Sequence, residues 1–187
     1  MPRAGLDSAT VTELALGVVD TGGPTGYADL TLAAVAGRAG VAVPSLYKHV
    51  EGLPGLRREV ALVCMQQLAR TLERLDTVAE MAHATRAYAR ATPGRYDAVQ
   101  GTAWLHDPAA QAVREASVEV VDHLARGVTA LGVPADDRIH AVRAVRAAVH
   151  GFVVLELAGG FGMPEDVDAS FAFLVDGLVR GLASLSV

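Results

Sequence analysis

The chain has 187 residues and a mass of 19.4 kDa, enough for one compact domain or two small ones that share a core. Apolar residues make up 51% and charged residues 20%; this composition excludes wholesale disorder, and no run of about 18 uncharged apolar residues occurs, which excludes a membrane-spanning helix. Net charge is −5, with seven basic and seven acidic side chains in residues 1–75 against nine and fourteen in 76–187, so the broad basic footprint of a nucleic-acid binder is missing.

The opening segment, MPRAGLDSATVTEL, has one Arg and no apolar run, which is not the pattern of a secretory signal. Cys64 is the sole cysteine, so an internal disulfide and a Cys-based zinc site are excluded. The expectation is a cytoplasmic protein. The pattern is helical nearly throughout, punctuated by Gly and Pro. A first helix is predicted over 8–20, capped by Asp7 or Ser8, with Val11, Leu14, Ala15, Val18 and Val19 on one face and Gly22-Gly23-Pro24 as its stop.

A short helix over 32–38 follows, with Thr31 as N-cap and Gly40 where the chain must take positive φ. A second short helix starts near Pro44, favoured at a first helical turn, and ends before Glu51-Gly52. Longer helices are predicted over 53–75, 78–91, 94–101, 108–131, from Asp136 or Asp137 to 158, and over 164–185. That is an all-α chain of about nine helices. The last two are rich in small and apolar residues on more than one face, and such a helix needs a second partner, which a second subunit can supply.

Thr31 to Leu56 carries the information: TLAAVAGRAGVAVPSLYKHVEGLPGL. Two short helices joined by a tight Gly-containing turn make a helix-turn-helix. Leu32, Val35, Ala36 and Val41 pack the pair together, and Leu46 and Val50 anchor the second helix. Ala42, Val43, Pro44, Ser45, Tyr47, Lys48 and His49 then face outward. In such a motif the second helix enters the major groove while flanking groups hold the backbone.

The pattern Thr31-Leu32, Val35-Ala36, Ala39-Gly40-Val41, Ser45-Leu46-Tyr47, His49-Val50 and Leu56 resembles the TetR family of transcriptional regulators. Ala144 to Glu156 (AVRAAVHGFVVLE), with Phe161, the later LVDGLVRGL and Pro93-Gly94-Arg95-Tyr96, is similar to the TetR-type C-terminal domain named for a Trp-His-Gly (WHG) signature. His150 and Gly151 fit it, and Arg146 stands at the Trp position.

The resemblance implies a DNA-binding domain over 1–52, a helical ligand-binding and dimerisation domain over 53–187, and a homodimer through the last two helices. It further implies a repressor of a palindromic double-stranded DNA operator, released by a small-molecule effector. Two departures stand out: Ala42 replaces a polar N-cap, and Leu53 replaces a phosphate-facing Lys.

Roles and bland alternatives stand side by side. Tyr47 contacts a phosphate or packs on the first helix; His49 donates to a phosphate or is an ordinary exposed histidine. Ser45 meets a base or phosphate, or merely occupies a first helical turn. Val43 and Pro44 can meet a thymine methyl. Thr31 caps its helix and can also touch the backbone. Arg38, Lys48, Arg57 and Arg58 are the cations near this face.

In the second half, Met81, Tyr88, Trp104, His123 and Phe152 either line an effector cavity or are plain core. Glu156 falls on the stripe of Val145, Val149 and Phe152, where an unpaired carboxylate is expensive. It either pairs with an Arg such as Arg146 or Arg143 or orients a polar effector. His150 reads as a structural histidine at a helix crossing, with Gly151 permitting close approach. Hydrolase elbows, HExxH, Walker and GxGxxG motifs are absent, so neither an enzyme nor a cofactor is expected. No metal site is expected from the six histidines. The alternative function is a small-molecule sensor or sequestration module that no longer binds DNA.

Overall fold

The computed structural model describes residues 6–101 and 104–185. Among the described residues there are eight α-helices and no strand. They are α1 (Ser8–Thr21), α2 (Leu32–Ala39), α3 (Gly52–Leu72), α4 (Val78–Ala91), α5 (Pro93–Gln100), α6 (Gln111–Ala130), α7 (Arg138–Leu157) and α8 (Val167–Ala183). A six-residue 3-10 helix, Val43–Lys48, stands between α2 and α3 as the ninth main element. No helix among the described residues is long and apolar enough to cross a membrane.

Local chemistry sets the ends. The Asp7 carboxylate accepts from the Thr10 amide at 2.7 Å and starts α1. This bond, more than any other influence, holds the Asp7 carboxyl below its ordinary range. Thr31 Oγ1 accepts from the Ala34 amide at 3.2 Å and starts α2. Gly40, at φ +67°, ends α2 in the left-handed conformation, and the Val41 amide reaches back to the Ala36 carbonyl at 3.1 Å, the paired closure expected of a glycine stop. The segment before α6 is looser: Pro108–Ala110 forms a separate 3-10 turn, so α6 starts later than the sequence pattern predicts.

The chain divides into two compact units, one of residues 1–66 and 92–116, the other of 67–91 and 117–187. In the first, Val11, Ala15 and Val19 of α1 are fully buried with Leu30, Val35, Leu46, Leu56 and Val60. Its helix α5 packs on the end of α1: a Cβ at Gly94 would lie 2.7 Å from the carbonyl oxygens of Val19 and Gly23, so only glycine fits this approach. Beside it the Arg95 guanidinium grips Asp20 with two bonds, at 2.7 and 2.6 Å. In the second unit α4 packs against α7 and α8. The buried stripe of α4 runs Val78, Met81, Ala82, Arg86 and Ala89, a helical period with one charge in it.

Candidate nucleic-acid interface

The helix-turn-helix forms with its second helix wound as 3-10 rather than α. The cause is local. Ala42 offers no side-chain cap and Pro44 supplies no N–H in the first turn; at six residues the element is longer than most 3-10 runs but short for an α-helix. Leu46, fully buried, pins the segment from beneath, and the amides of His49 and Val50 both return to its carbonyl, at 2.8 and 3.0 Å.

What remains faces outward. Tyr47 is 60% exposed. Pro44 and Lys48 are exposed, and Val43, Ser45 and His49 are half-buried. Thr31 is exposed at the head of α2, its hydroxyl oxygen engaged as the cap. The segment thus offers a phenol, an ammonium, a hydroxyl and an imidazole together with two small apolar side chains, Val43 and Pro44. Such a surface can donate to phosphate oxygens and touch thymine methyls.

The neighbouring arginines are committed elsewhere. Arg57 donates through Nη2 to the carbonyls of Ala28 and Leu30, at 2.8 and 3.4 Å, and lies 5.9 Å from the centre of the Tyr27 ring. Tyr27 in turn donates to the Arg57 carbonyl at 3.2 Å, and burial pushes its phenol up to about 12. Arg58 holds Glu51 at 2.6 Å and Asp107 at 3.0 Å. Arg38 is exposed but folds across α1: its Nη2 lies 2.8 Å from where a Gly17 Cβ would be. Lys48 projects without an ion pair among the described residues.

Of the second-half candidates only two come together. Phe152 and Glu156 come together at Arg86, whose side chain is 7% exposed. Arg86 donates to both Glu156 oxygens, at 2.8 and 2.6 Å, and to Asp168 at 2.6 Å. Its guanidinium lies 4.8 Å from the Phe171 ring centre and 5.6 Å from that of Phe152. Arg86 holds its proton more tightly than usual, chiefly through the bond to Glu156. The bond from Arg86 likewise holds the Asp168 carboxyl below its ordinary range.

Glu156 therefore pairs with Arg86 and, at 3.8 Å, with Arg90, both of α4, rather than with the Arg143 or Arg146 expected from the sequence. Those two stand on the exposed side of α7, while α4 lays Arg86 across the buried side. Sequence reasoning missed Arg86, although an Arg on the apolar stripe of α4 was the signal that could have found it.

Met81 is fully buried in the second unit. Tyr88 donates to Gln67 at 3.4 Å, and His123 lines a shallow groove with Arg70, Glu73 and Arg126, its Nδ1 buried without a partner among the described residues. Trp104 belongs to the first unit, 7% exposed, its indole N–H also without a partner among the described residues. Gly151 meets no atom within 4 Å of a would-be Cβ, so the close approach expected there is not made inside the protomer.

An all-helical protein that presents an exposed helix-turn-helix tip on one compact unit has the build of a DNA-binding regulator. Residues 78–178 match the family model for the Tetracyclin repressor-like, C-terminal domain. The chain is 30% identical over 191 residues to the uncharacterized HTH-type transcriptional regulator YobS of Bacillus subtilis (strain 168), covering 97% of this chain and 95% of that protein. It is 33% identical over 188 residues to the uncharacterized HTH-type transcriptional regulator Rv0681 of Mycobacterium tuberculosis, covering 96% and 83%. Among solved structures it is similar to BioQ with its natural double-stranded DNA operator, at 27% identity and a TM-score of 0.66, covering 96% of this chain and 99% of that one. The chain belongs to the TetR family of helix-turn-helix transcriptional regulators, which are DNA-binding proteins and not enzymes.

Proposed function

We propose that this regulator is a homodimeric repressor that reads a palindromic operator with Val43–His49 and lets go when a small molecule binds its part over 53–187. The observation that carries the reading is the tip itself: Leu46 is buried while Tyr47 and Lys48 stand clear of the protein. Thr31, Tyr47, Lys48 and His49 hold phosphates, and Val43, Pro44 and Ser45 face the base edges. Arg38 joins them only by swinging off Gly17. BioQ, which its structure shows on an operator duplex, supports the same use of this fold here.

Two such tips must lie roughly 34 Å apart to enter successive major grooves. A dimer through α7 and α8 sets that distance, and the division of labour is a reader over 1–52 and a sensing and dimerising part over 53–187. Helices α3 and α6 each have residues in both compact units, so they are the elements through which an effector acts. The effector must prefer one separation of the tips, since equal affinity for both would shift nothing.

One specific observation favours a second reading, a sensor or sequestration module without DNA. Arg57 and Arg58 spend their charge inside the protein, which leaves few cations for phosphate. Selection from a pool of randomised duplexes separates the two readings. The repressor reading expects enrichment of one palindrome; a pool that stays random, with a dimeric protein, supports the module.

A further inference from the structure

The outer side of α8 has a composition that the protomer does not explain. Phe173 is 77% exposed, and on the same helix face Gly177 and Gly181 follow at one-turn intervals. A glycine inside a helix is less stable than alanine, so a natural sequence keeps one where something comes close. Nothing does so here: neither glycine has an atom within 4 Å of a would-be Cβ. Besides Gly37 of α2, the helical glycines this open are Gly151 of α7 and these two. The bare backbone forms the floor of a groove walled by Phe152, Leu174 and Leu178, with Phe173 at its mouth.

A knob and a hole on one helix are complementary to a second copy of themselves. In a two-fold dimer every contact occurs twice, so a surface that carries both halves satisfies both at once. An axis near residues 177–178 sets a phenyl at 173 against the glycines of the other chain. The flanking charges agree: Asp176 and Arg180 are exposed, make no ion pair within the protomer among the described residues, and meet as unlike charges across the same axis. An unrelated protein would need its own aromatic knob and matching charges.

We propose that Phe173 of each subunit seats on the Gly177–Gly181 stripe of the other, so that these two glycines set how closely the α8 helices approach. This rests on the homodimer reading and names the contact that makes it. Alanine at 177 then acts in two directions. It favours the helix within each protomer but pushes the two helices apart, whereas a glycine with no such role would give only the first effect.

The test is sedimentation velocity over a concentration series for the wild type, Gly177→Leu, Gly177→Ala, Phe173→Ala and, as a control on exposed apolar surface elsewhere, Val118→Ala. Circular dichroism melts are recorded alongside. The expected result is a wild-type dimer at micromolar concentration and a dimer dissociation constant raised roughly tenfold or more by Phe173→Ala and Gly177→Leu. Gly177→Ala is expected to weaken the dimer while retaining or raising helicity, and Val118→Ala to change neither. A dimer insensitive to both Phe173→Ala and Gly177→Leu overturns this contact, and leaves the homodimer reading standing. A wild type that stays monomeric overturns both. Phe173→Ala only trims an exposed side chain, so the proposal is decided even where the leucine variant fails to fold.

Discussion

The tip around Val43–Lys48 and the outer face of α8 are both surfaces the protomer leaves uncovered, and they are built in opposite ways. The tip hangs from a single fully buried side chain, Leu46, and shows water a phenol, an ammonium and an imidazole. On the inner side of α8 the buried Arg86 holds Glu156 beside two phenyl rings and reaches Asp168 at the exposed start of the helix, while the outer face is a phenyl and bare glycine backbone. Polar outside and apolar beneath suits a surface that meets a wet, charged partner. Apolar outside over a buried Arg86 suits one that meets its own like and stays there. The arginines beside the tip teach the same lesson: Arg57 and Arg58 are held by carbonyls and carboxylates of the protein, so the charge available to DNA there is less than their number promises.

This contrast can be broken at either end. The largest effect is expected from Arg86→Met, which leaves the Glu156 carboxylate on a mostly buried site with only the half-exposed Arg90, at 3.8 Å, beside it. Removing one partner of a buried pair costs about 3–5 kcal/mol, read as a lower urea midpoint at pH 7. The double variant Arg86→Met/Glu156→Leu is expected to recover most of that loss. Acid probes the same network. The Asp168 carboxyl is held below its ordinary value of 3.8, so its contribution is present above that value and is lost as pH falls through the depressed one. Wild-type stability is therefore expected to fall on acidification below pH 4 more steeply than that of Asp168→Asn.

Next in size is Leu46→Ala. It opens a cavity under the tip and costs about 2–5 kcal/mol, with operator affinity lost at protein concentrations where α8 still holds the dimer together. Survival of full operator affinity would mean the tip is positioned by something other than Leu46. The smallest effect sharpens the comparison. Ala42 gives the 3-10 helix no cap, so Ala42→Ser is expected to add about 0.5–1 kcal/mol and to leave dimer strength unchanged, measured by thermal melting and sedimentation.

Much of this was legible because helix ends are local events. Asp7, Thr31 and Gly40 act within three or four residues of themselves, and the observed ends of α1, α2 and α4 lie within a residue of the pattern's. The apolar spacing of Leu46 and Val50 likewise placed the outward residues of the turn. What escaped reading is what depends on distant chain. Periodicity cannot tell a six-residue 3-10 helix from an α turn. It cannot show that Arg86, seventy positions before Glu156, lies across it, or that Arg57 reaches back to the carbonyls of Ala28 and Leu30. The glycine stripe on α8 was visible as letters, but only the empty space around it gives those letters a meaning.

The central claim is that Val43–His49 touches DNA, and the most direct measurement is fluorescence anisotropy on the selected palindrome across a salt series. Wild type is to be compared with Tyr47→Ala and Lys48→Ala, each checked for an intact dimer. The account predicts selective wild-type binding and weaker binding by both variants. For Lys48→Ala, which removes one phosphate contact per subunit, it predicts a salt slope shallower by about 2. Variants that bind the palindrome as tightly as the wild type, with the same slope, would contradict it.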